Sequence, residues 1–319
     1  MAETKPGNDA QFEIIEEKIT NSLGETVIKR YARGKFLGKG GFAKCYECTN
    51  LDTKKVTAAK IIPKSTLQKS RQRAKLLSEI KIHRSLQHPN IVQFEHVFED
   101  SMNVYILLEL CNNQSLNDLI KRRKRLAESE TRCVAWQVLQ ALKYLHSQNI
   151  IYQGVKLSNI LLDDTMTCKL TDFGSAIQLN TNEELGFEID NTAVIIPPEV
   201  LEGRGYSFPV DLWSFGLLLT LLSTGTHPFE APDIKTMYQS IREKSLVFYL
   251  ESGLSPELTD LAKKLLNVKP QERPTMEQVG THPFFQIGVG ISTHLPLSYA
   301  GEPAQEDQET YQDHNPSNK

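Results

Sequence analysis

The sequence predicts an α+β fold in two lobes: a five-stranded antiparallel sheet carrying one helix, followed by a mainly helical lobe. Two observations predict it. Between residues 34 and 110, apolar and polar residues alternate in short runs separated by turn chemistry, as half-buried strands require. After Cys111 the apolar spacing changes to three and four, which marks buried helix faces.

Taken in order, residues 1–30 are charged and are expected to be an N-terminal extension, with a short helix around FEIIEEKI. The first lobe, 31–110, begins at Tyr31. In GKFLGKGGFAKCYECTNLDTKKVTAAKII the alternation breaks at Gly38–Gly41 and at TNLDT, giving three strands. Residues 68–86 repeat with a helical period and stop before His88-Pro89-Asn90, and two more strands are expected at 92–99 and 104–110. The second lobe is 111–287. In SETRCVAWQVLQALKYLHS, the residues Val134, Val138, Leu142 and Leu145 mark one buried face. Short strands follow around 160–170. DLWSFGLLLTLLSTG, almost uniformly apolar, and SPELTDLAKKLLNVKP are further core helices. Residues 288–319, rich in Pro, Gln, Glu and Asn, are expected to be a disordered tail.

With 319 residues, 39% of them hydrophobic and 24% charged, the chain can bury a sizeable core. A net charge of −3 argues against nucleic acid or an anionic membrane as the main partner. The basic run KRRKR at 121–125 is expected to be a solvated helix face, with a partner-docking patch as the alternative. No apolar run is long enough to span a bilayer, and the start is acidic where a signal peptide would be basic, so a cytoplasmic or nuclear protein is expected. The five cysteines are scattered, which argues against a disulfide framework. Cys45 and Cys48, a lone C-x-x-C in a strand, are expected to pack rather than to bind metal.

Several short motifs carry chemistry. Gly38 and Gly40 in LGKGGFAKC allow a backbone to approach phosphate oxygens, although Ala43 stands where a third glycine would complete G-x-G-x-x-G. Lys60 lies in the strand VTAAKII, and Glu79 in the helix LLSEIKIH. NIIYQGVKLSNILL at 149–162 precedes Asp172-Phe173-Gly174. Pro197-Pro198-Glu199, then Asp211 in VDLWSFG, then Arg273 in QERPT complete the series. In this order and spacing the set resembles the protein-kinase motifs, and the implied architecture is the bilobal protein-kinase fold. FLGKGGFAKCYE, KIIPKSTL, EIKIHRSLQHPNIVQF, VYILLELCNNQSL and THPFFQIGVGISTHLPLS narrow the resemblance to the catalytic domain of polo-like kinases over roughly residues 30–297. The chain is expected to be too short to carry that family's polo boxes.

The resemblance implies ATP and Mg²⁺ as ligands. Lys60 would contact the α- and β-phosphates and be held by Glu79, while Asn159 and Asp172 would hold Mg²⁺ and Lys156 would stand in the catalytic loop. Leu37, Gly38 and Gly40 would cover the nucleotide. The adenine would lie with Cys45 and Ala58 above and Leu161 below, Leu108 as gatekeeper, and Glu109 and Cys111 offering hinge backbone groups. Phe173, Gly174, Glu199, Asp211 and Arg273 would be structural or regulatory.

The departures are grouped. Gly154 stands where a kinase keeps the aspartate that receives the substrate hydroxyl proton. Asp163 and Asp164 are expected to lie in a strand turn, unable to replace it. Gln153 replaces the arginine that would pair with a phosphorylated activation-loop threonine, and Glu188 falls at that threonine's place. Asn191-Thr192-Ala193 alters the substrate-docking segment. Tyr152, in place of histidine, is expected to fill the same packing slot against Phe173 and to be neutral. Gly154→Asp alone is expected to restore some phosphotransfer, with a positive φ at Gly154 as the one obstacle. These residues point to a polo-like-type pseudokinase that binds Mg-ATP and acts as a scaffold or allosteric module, with a protein partner the sequence does not name. The alternative is a weakly active Ser/Thr protein kinase working without the usual aspartate, and a third reading is a structural remnant that binds no nucleotide.

Overall fold

The computed structural model describes residues 13–41, 43–179, 196–205, 207–229, 233–242, 254–286, 292 and 294–300. It divides into two units, Met1–Cys111 with Asp172–Gln178, and Asn112–Thr171 with Leu179–Lys319.

The first unit is an antiparallel sheet with one long helix. Its strands are β1 (Ile14–Thr20), β2 (Thr26–Lys39), β3 (Lys44–Asn50), β4 (Val56–Pro63), β5 (Phe94–Glu99) and β6 (Asn103–Leu108), in the spatial order β1-β2-β3-β4-β6-β5. Helix α1 spans Ser70–Arg84. The five expected strands are present, and a sixth precedes them.

That sixth strand corrects the sequence expectation. FEIIEEKI was expected to hold a short helix, but Ile14–Thr20 pair with β2, Ile15 opposite Tyr31 and Glu17 opposite Lys29. Two features favour the hairpin. The β-branched pair Ile14-Ile15 suits an extended backbone. The turn that follows is built by Asn21, whose side-chain oxygen accepts from the N–H groups of Leu23 at 3.0 Å and Glu25 at 2.9 Å, with Gly24 at φ 83°. Ile15, Tyr31, Cys48, Ala59, Tyr105 and Leu107 are buried together, so the hairpin contributes directly to a core. Withdrawing a large aliphatic side chain of that set, such as Ile15, from water contributes about 1.5–3 kcal/mol. Cys48 thus packs as expected.

The second unit is mainly helical. It contains α2 (Leu116–Arg123), α3 (Glu128–Ser147), the two-residue strand β7 (Ile150–Ile151), and the hairpin of β8 (Ile160–Leu162) with β9 (Cys168–Leu170). Then come α4 (Pro198–Leu201), α5 (Pro209–Thr224), α6 (Ile234–Arg242), α7 (Pro256–Leu265), α8 (Met276–Gly280) and α9 (Pro283–Gln286). Val134, Val138, Leu142 and Leu145 of α3 are all buried, as their spacing predicts. Helix α5 is apolar all round and buried nearly throughout, because α3 and α7 both pack on it.

Lys121–Arg125 are exposed at the end of α2, as a solvated face should be. The disordered-tail expectation for 288–319 does not extend to 294–300. Leu295 is buried and donates its N–H to Met166 O at 3.2 Å, and Tyr299 hydrogen-bonds Glu130 while Arg123 lies 3.8 Å over its ring. An apolar anchor and an aromatic one outweigh the polar composition around them. The remainder of that tail lies outside the described residues, as do Glu188 and Asn191-Thr192-Ala193. No described helix is long and apolar enough to cross a membrane.

Candidate functional site

In the first unit the sheet and helix bring Lys60, Glu79 and Asp172 together. Lys60 is on β4 and Glu79 on α1, and the Lys60 Nζ donates to Glu79 Oε1 at 2.5 Å. A carboxylate oxygen of Asp172 lies 3.6 Å from the same ammonium. Burial alone would pull the Lys60 pKa down. The two carboxylates more than offset that, and hold it above the ordinary lysine range, so the group stays charged. Cys45, opposite Lys60 across the β3–β4 ladder, is half-buried, and burial pushes its thiol pKa up.

Asp172 sits at φ 59°, in the left-handed region that side chains other than Asn and Asp rarely enter. Phe173 is fully buried and its ring lies 4.5 Å from that of His83. At Gly174 a Cβ would stand 3.3 Å from both the Asp172 and the Glu79 carboxylate, so a side chain there would crowd the ion-pair cluster. His83 was not a sequence candidate. It is buried and bonds Val92 O at 2.7 Å; burial lowers its pKa to about 4, against the opposing pull of that bond.

The other first-unit candidates occupy the expected strands. Leu37 is exposed at the end of β2. Gly38 has no heavy atom within 4 Å of where a Cβ would point, so the backbone is open to close approach by a ligand on that side, and Gly40 donates its N–H to Ala43 O at 2.8 Å. Ala58 pairs with Leu108 across β4 and β6, and Leu108 is buried. Glu109 is tied to Gln93 twice, its N–H donating to Gln93 O at 2.9 Å and its carboxylate accepting from Gln93 N–H at 3.0 Å. Cys111 closes the unit, half-buried.

In the second unit the loop after β7 is hung from one buried carboxylate. Asp211, at the start of α5, accepts from the backbone N–H groups of Tyr152 at 2.9 Å and Gln153 at 2.8 Å, and from His146 at 2.8 Å. Three partners satisfy a carboxylate that has no exposed surface. Gln153 adopts φ 56°, whereas Gly154 is not among the positive-φ glycines. The expected obstacle at Gly154, its backbone, is therefore absent. A Cβ built on Gly154 would lie 2.7 Å from Cζ of the Tyr152 ring and 3.0 Å from both Cε atoms, so a side chain there needs the ring to shift. The Tyr152 hydroxyl donates to the carbonyl of Thr171, and the ring is fully buried.

Asn159 is buried and its amide donates to Gly154 O at 3.2 Å, while Lys156 is exposed. Leu161, half-buried on β8, pairs with Lys169. Asp163 is consumed by the turn between β8 and β9, accepting from the N–H groups of Thr165 and Thr167 at 2.9 Å each, and Asp164 accepts from Asn112 at 2.6 Å. Both carboxylates are thus held at that turn, where the sequence places them. Glu199 and Arg273 form a buried two-pronged pair, both contacts 2.7 Å, and Arg273 also donates to the carbonyls of Pro209 and Asn267.

Sequence alone did not single out His146, Thr171 or Gln93. His146 carried a faint signal, lying one helical turn beyond Leu142 at the end of α3; the other two act through backbone groups that any residue type supplies.

The protein kinase domain family matches residues 31–285. The chain is similar to the probable serine/threonine-protein kinase CCRP1 of Zea mays, 49% identical over 296 residues, covering 92% of this chain and 47% of that protein. It is similar to the probable serine/threonine-protein kinase PLK of Dictyostelium discoideum, 45% identical over 292 residues, covering 91% of this chain and 30% of that protein. With the cell cycle serine/threonine-protein kinase CDC5/MSD2 of Saccharomyces cerevisiae it shares 43% identity over 271 residues, 84% of this chain and 38% of that protein. The chain thus spans half or less of the length of these relatives.

Proposed function

Because the chain belongs to the protein kinase family, with polo-like kinases among its relatives, we propose that it binds Mg-ATP and acts as a pseudokinase, a scaffold or allosteric module for a protein partner. One juxtaposition carries this reading: a complete Lys60–Glu79–Asp172 cluster in a chain whose catalytic-loop aspartate is Gly154.

The residues present fit the ligand. Lys60, kept charged by its two carboxylates, would bind the α- and β-phosphates, and Gly38 leaves room for phosphate oxygens near the backbone. Asp172 in the first unit and Asn159 in the second each carry a side-chain oxygen of the kind Mg²⁺ takes. No group of three or more His, Cys, Asp or Glu gathers as a metal cage among the described residues, and Mg²⁺ in such sites needs few protein ligands because phosphates and water complete the shell. When bound, Mg²⁺ neutralises charge developing on the transferring phosphoryl group. At position 154 a glycine offers no side chain to orient and deprotonate an acceptor hydroxyl, a function worth typically about 10²–10⁴ in rate.

The intact cluster also favours a second reading, a weakly active Ser/Thr kinase that works by positioning and electrostatics. Thermal melts with and without ATP and Mg²⁺, together with radiolabelled phosphotransfer to casein and to the protein itself, separate the two. The expected result is an ATP-dependent rise in melting temperature, its Mg²⁺-dependent part lost in Asp172→Ala, with no incorporation above background. Incorporation abolished by Lys60→Met would establish the weakly active enzyme. No melting shift at millimolar Mg-ATP would leave a protein that does not use nucleotide.

A further inference from the structure

We infer that the basic run at 121–125 is the seat of this chain's own acidic segment, residues 302–313, which the anchored turn Leu297–Tyr299 delivers to it. The seat screens a basic surface of the second unit from other acidic chains. It is independent of nucleotide, since it involves no residue of the Lys60 cluster.

The run holds more positive charge than the fold uses. Lys121, Arg122 and Arg123 close the last turn of α2, where cations offset the partial negative charge of the helix carbonyls. Lys124, at φ 70°, and Arg125 carry the chain out of the helix. Arg122 donates to the Gln114 side chain at 2.9 Å, and Arg123 lies 3.6 Å from the Glu130 carboxylate. Among the described residues no carboxylate pairs with Lys121, Lys124 or Arg125, and all five residues of the run are exposed. The last described residues lie beside it. Leu295 is buried, with its N–H on Met166 O at 3.2 Å, the Tyr299 hydroxyl bonds Glu130, and the Arg123 guanidinium stands 3.8 Å over the Tyr299 ring. The chain therefore passes Ala300 next to the run. From there the sequence reads GEPAQEDQETYQD, with carboxylates at Glu302, Glu306, Asp307, Glu309 and Asp313 and no Lys or Arg before Lys319. At roughly 3.3–3.6 Å per residue, residues 301–313 can reach up to about 45 Å, far beyond anything a run of five residues covers. One exposed ion pair is worth little, so the seat works by number, several carboxylates against several cations. The tether makes the encounter intramolecular, at an effective concentration of about millimolar for a short linker.

The test uses the whole chain. A water-soluble carbodiimide joins a carboxylate to a touching lysine amine as an amide, and peptide mass spectrometry locates the link. At low ionic strength it should join Lys121 or Lys124 to residues 302–313, with a yield independent of protein concentration. In about 1 M salt, where the Debye length falls to about 3 Å, the yield should drop at least about fivefold. Links from 302–313 only to lysines elsewhere would overturn the inference, and so would links formed only between copies in a mixture of ordinary and isotopically labelled protein. Tyr299→Ala, which releases the anchor beside Arg123, should lower the yield at least about twofold, and an unchanged yield would overturn delivery by that turn. A second measurement needs no cross-link. Fluorescein-labelled polyglutamate should bind the variant Glu306→Gln, Asp307→Asn, Glu309→Gln at least about threefold more tightly than the parent, because the run is then open, and adding Lys121→Gln with Lys124→Gln should abolish that gain. Equal binding by the parent and the acidic-segment variant would overturn the inference, since the run would be open in both. A gain that survives the lysine changes would overturn it too, by placing the polyglutamate elsewhere. The melting shift with Mg-ATP should be the same in all these proteins, so a failure here is distinct from a failure of the pseudokinase reading.

Discussion

The Lys60 ammonium of β4 lies 2.5 Å from the Glu79 carboxylate of α1 and joins the sheet to its helix. Lys60→Met should remove the nucleotide-dependent melting shift altogether. A ligand that binds only the folded protein stabilises it by about 2.7 kcal/mol at a hundredfold excess over Kd, so the loss is measurable by differential scanning fluorimetry. An undiminished shift in Lys60→Met would mean that ATP binds elsewhere.

Asp211 should matter more for the loop than for nucleotide. Asp211→Ala leaves two backbone N–H groups and His146 without their acceptor in a buried place. Each buried donor left unmet costs about 1–3 kcal/mol, and urea titration should show a loss of at least roughly 2 kcal/mol. Protection of the Tyr152 and Gln153 amides from hydrogen exchange should fall with it. Unchanged protection would show that the loop is held by other contacts.

Arg273 and Glu199 are both nearly without exposed surface. Breaking such a pair by removing one partner costs about 3–5 kcal/mol, because the other charge stays buried alone. Arg273→Met should therefore cost that much in chemical denaturation, and Arg273→Met with Glu199→Leu should recover part of it. A double variant no better than the single one would place the energy in the bonds from Arg273 to the Pro209 and Asn267 carbonyls instead.

Burial lowers the His83 pKa from its ordinary 6.5 to about 4 when the chain is folded, with the nearby Lys60 charge acting in the same direction. Between those values the unfolded chain binds more protons than the folded one, so stability falls as pH drops from 6.5 and levels off below 4. At about 1.36 kcal/mol per pH unit the whole loss is roughly 3 kcal/mol. His83→Gln, which can still donate to Val92 O, should flatten this part of the stability curve. A slope unchanged in that variant would assign it to other groups.

Much of this was legible because it depends on side-chain period. The strands from β2 to β6 follow alternation, and α3 shows its buried face in Val134, Val138, Leu142 and Leu145. The β1–β2 hairpin was missed because Ile15 and Ile19 are also four apart, a spacing a helix would equally explain, and because the turn at Asn21 uses side-chain bonds that are not a two-residue hairpin signature. At the candidate site, residue types identified the Lys60, Glu79 and Asp172 set. They did not show that Gln153 takes the left-handed conformation in place of Gly154, nor that the Tyr152 ring lies against that glycine. Asp211, on a helix distant in sequence, holds the backbone N–H groups of both Tyr152 and Gln153, a constraint with no local trace in the loop's own residues.

The hairpin has a consequence for handling the protein. β1 is the terminal strand of its sheet, and its partner β2 would take that place in a chain trimmed to begin at Tyr31, where the kinase-domain match begins. Such a trim removes Ile15 from the core and Glu17 from its hydrogen bonds to Tyr31 and His96, and frees the pairing groups of the remaining β2 residues Tyr31 and Ala32 for another molecule. An uncovered strand of this kind invites edge-to-edge association between copies. Trimming at Tyr31 thus exchanges the edge strand β1 for β2 and takes Ile15 out of the core, and a chain that begins before Ile14 is expected to be the more stable of the two.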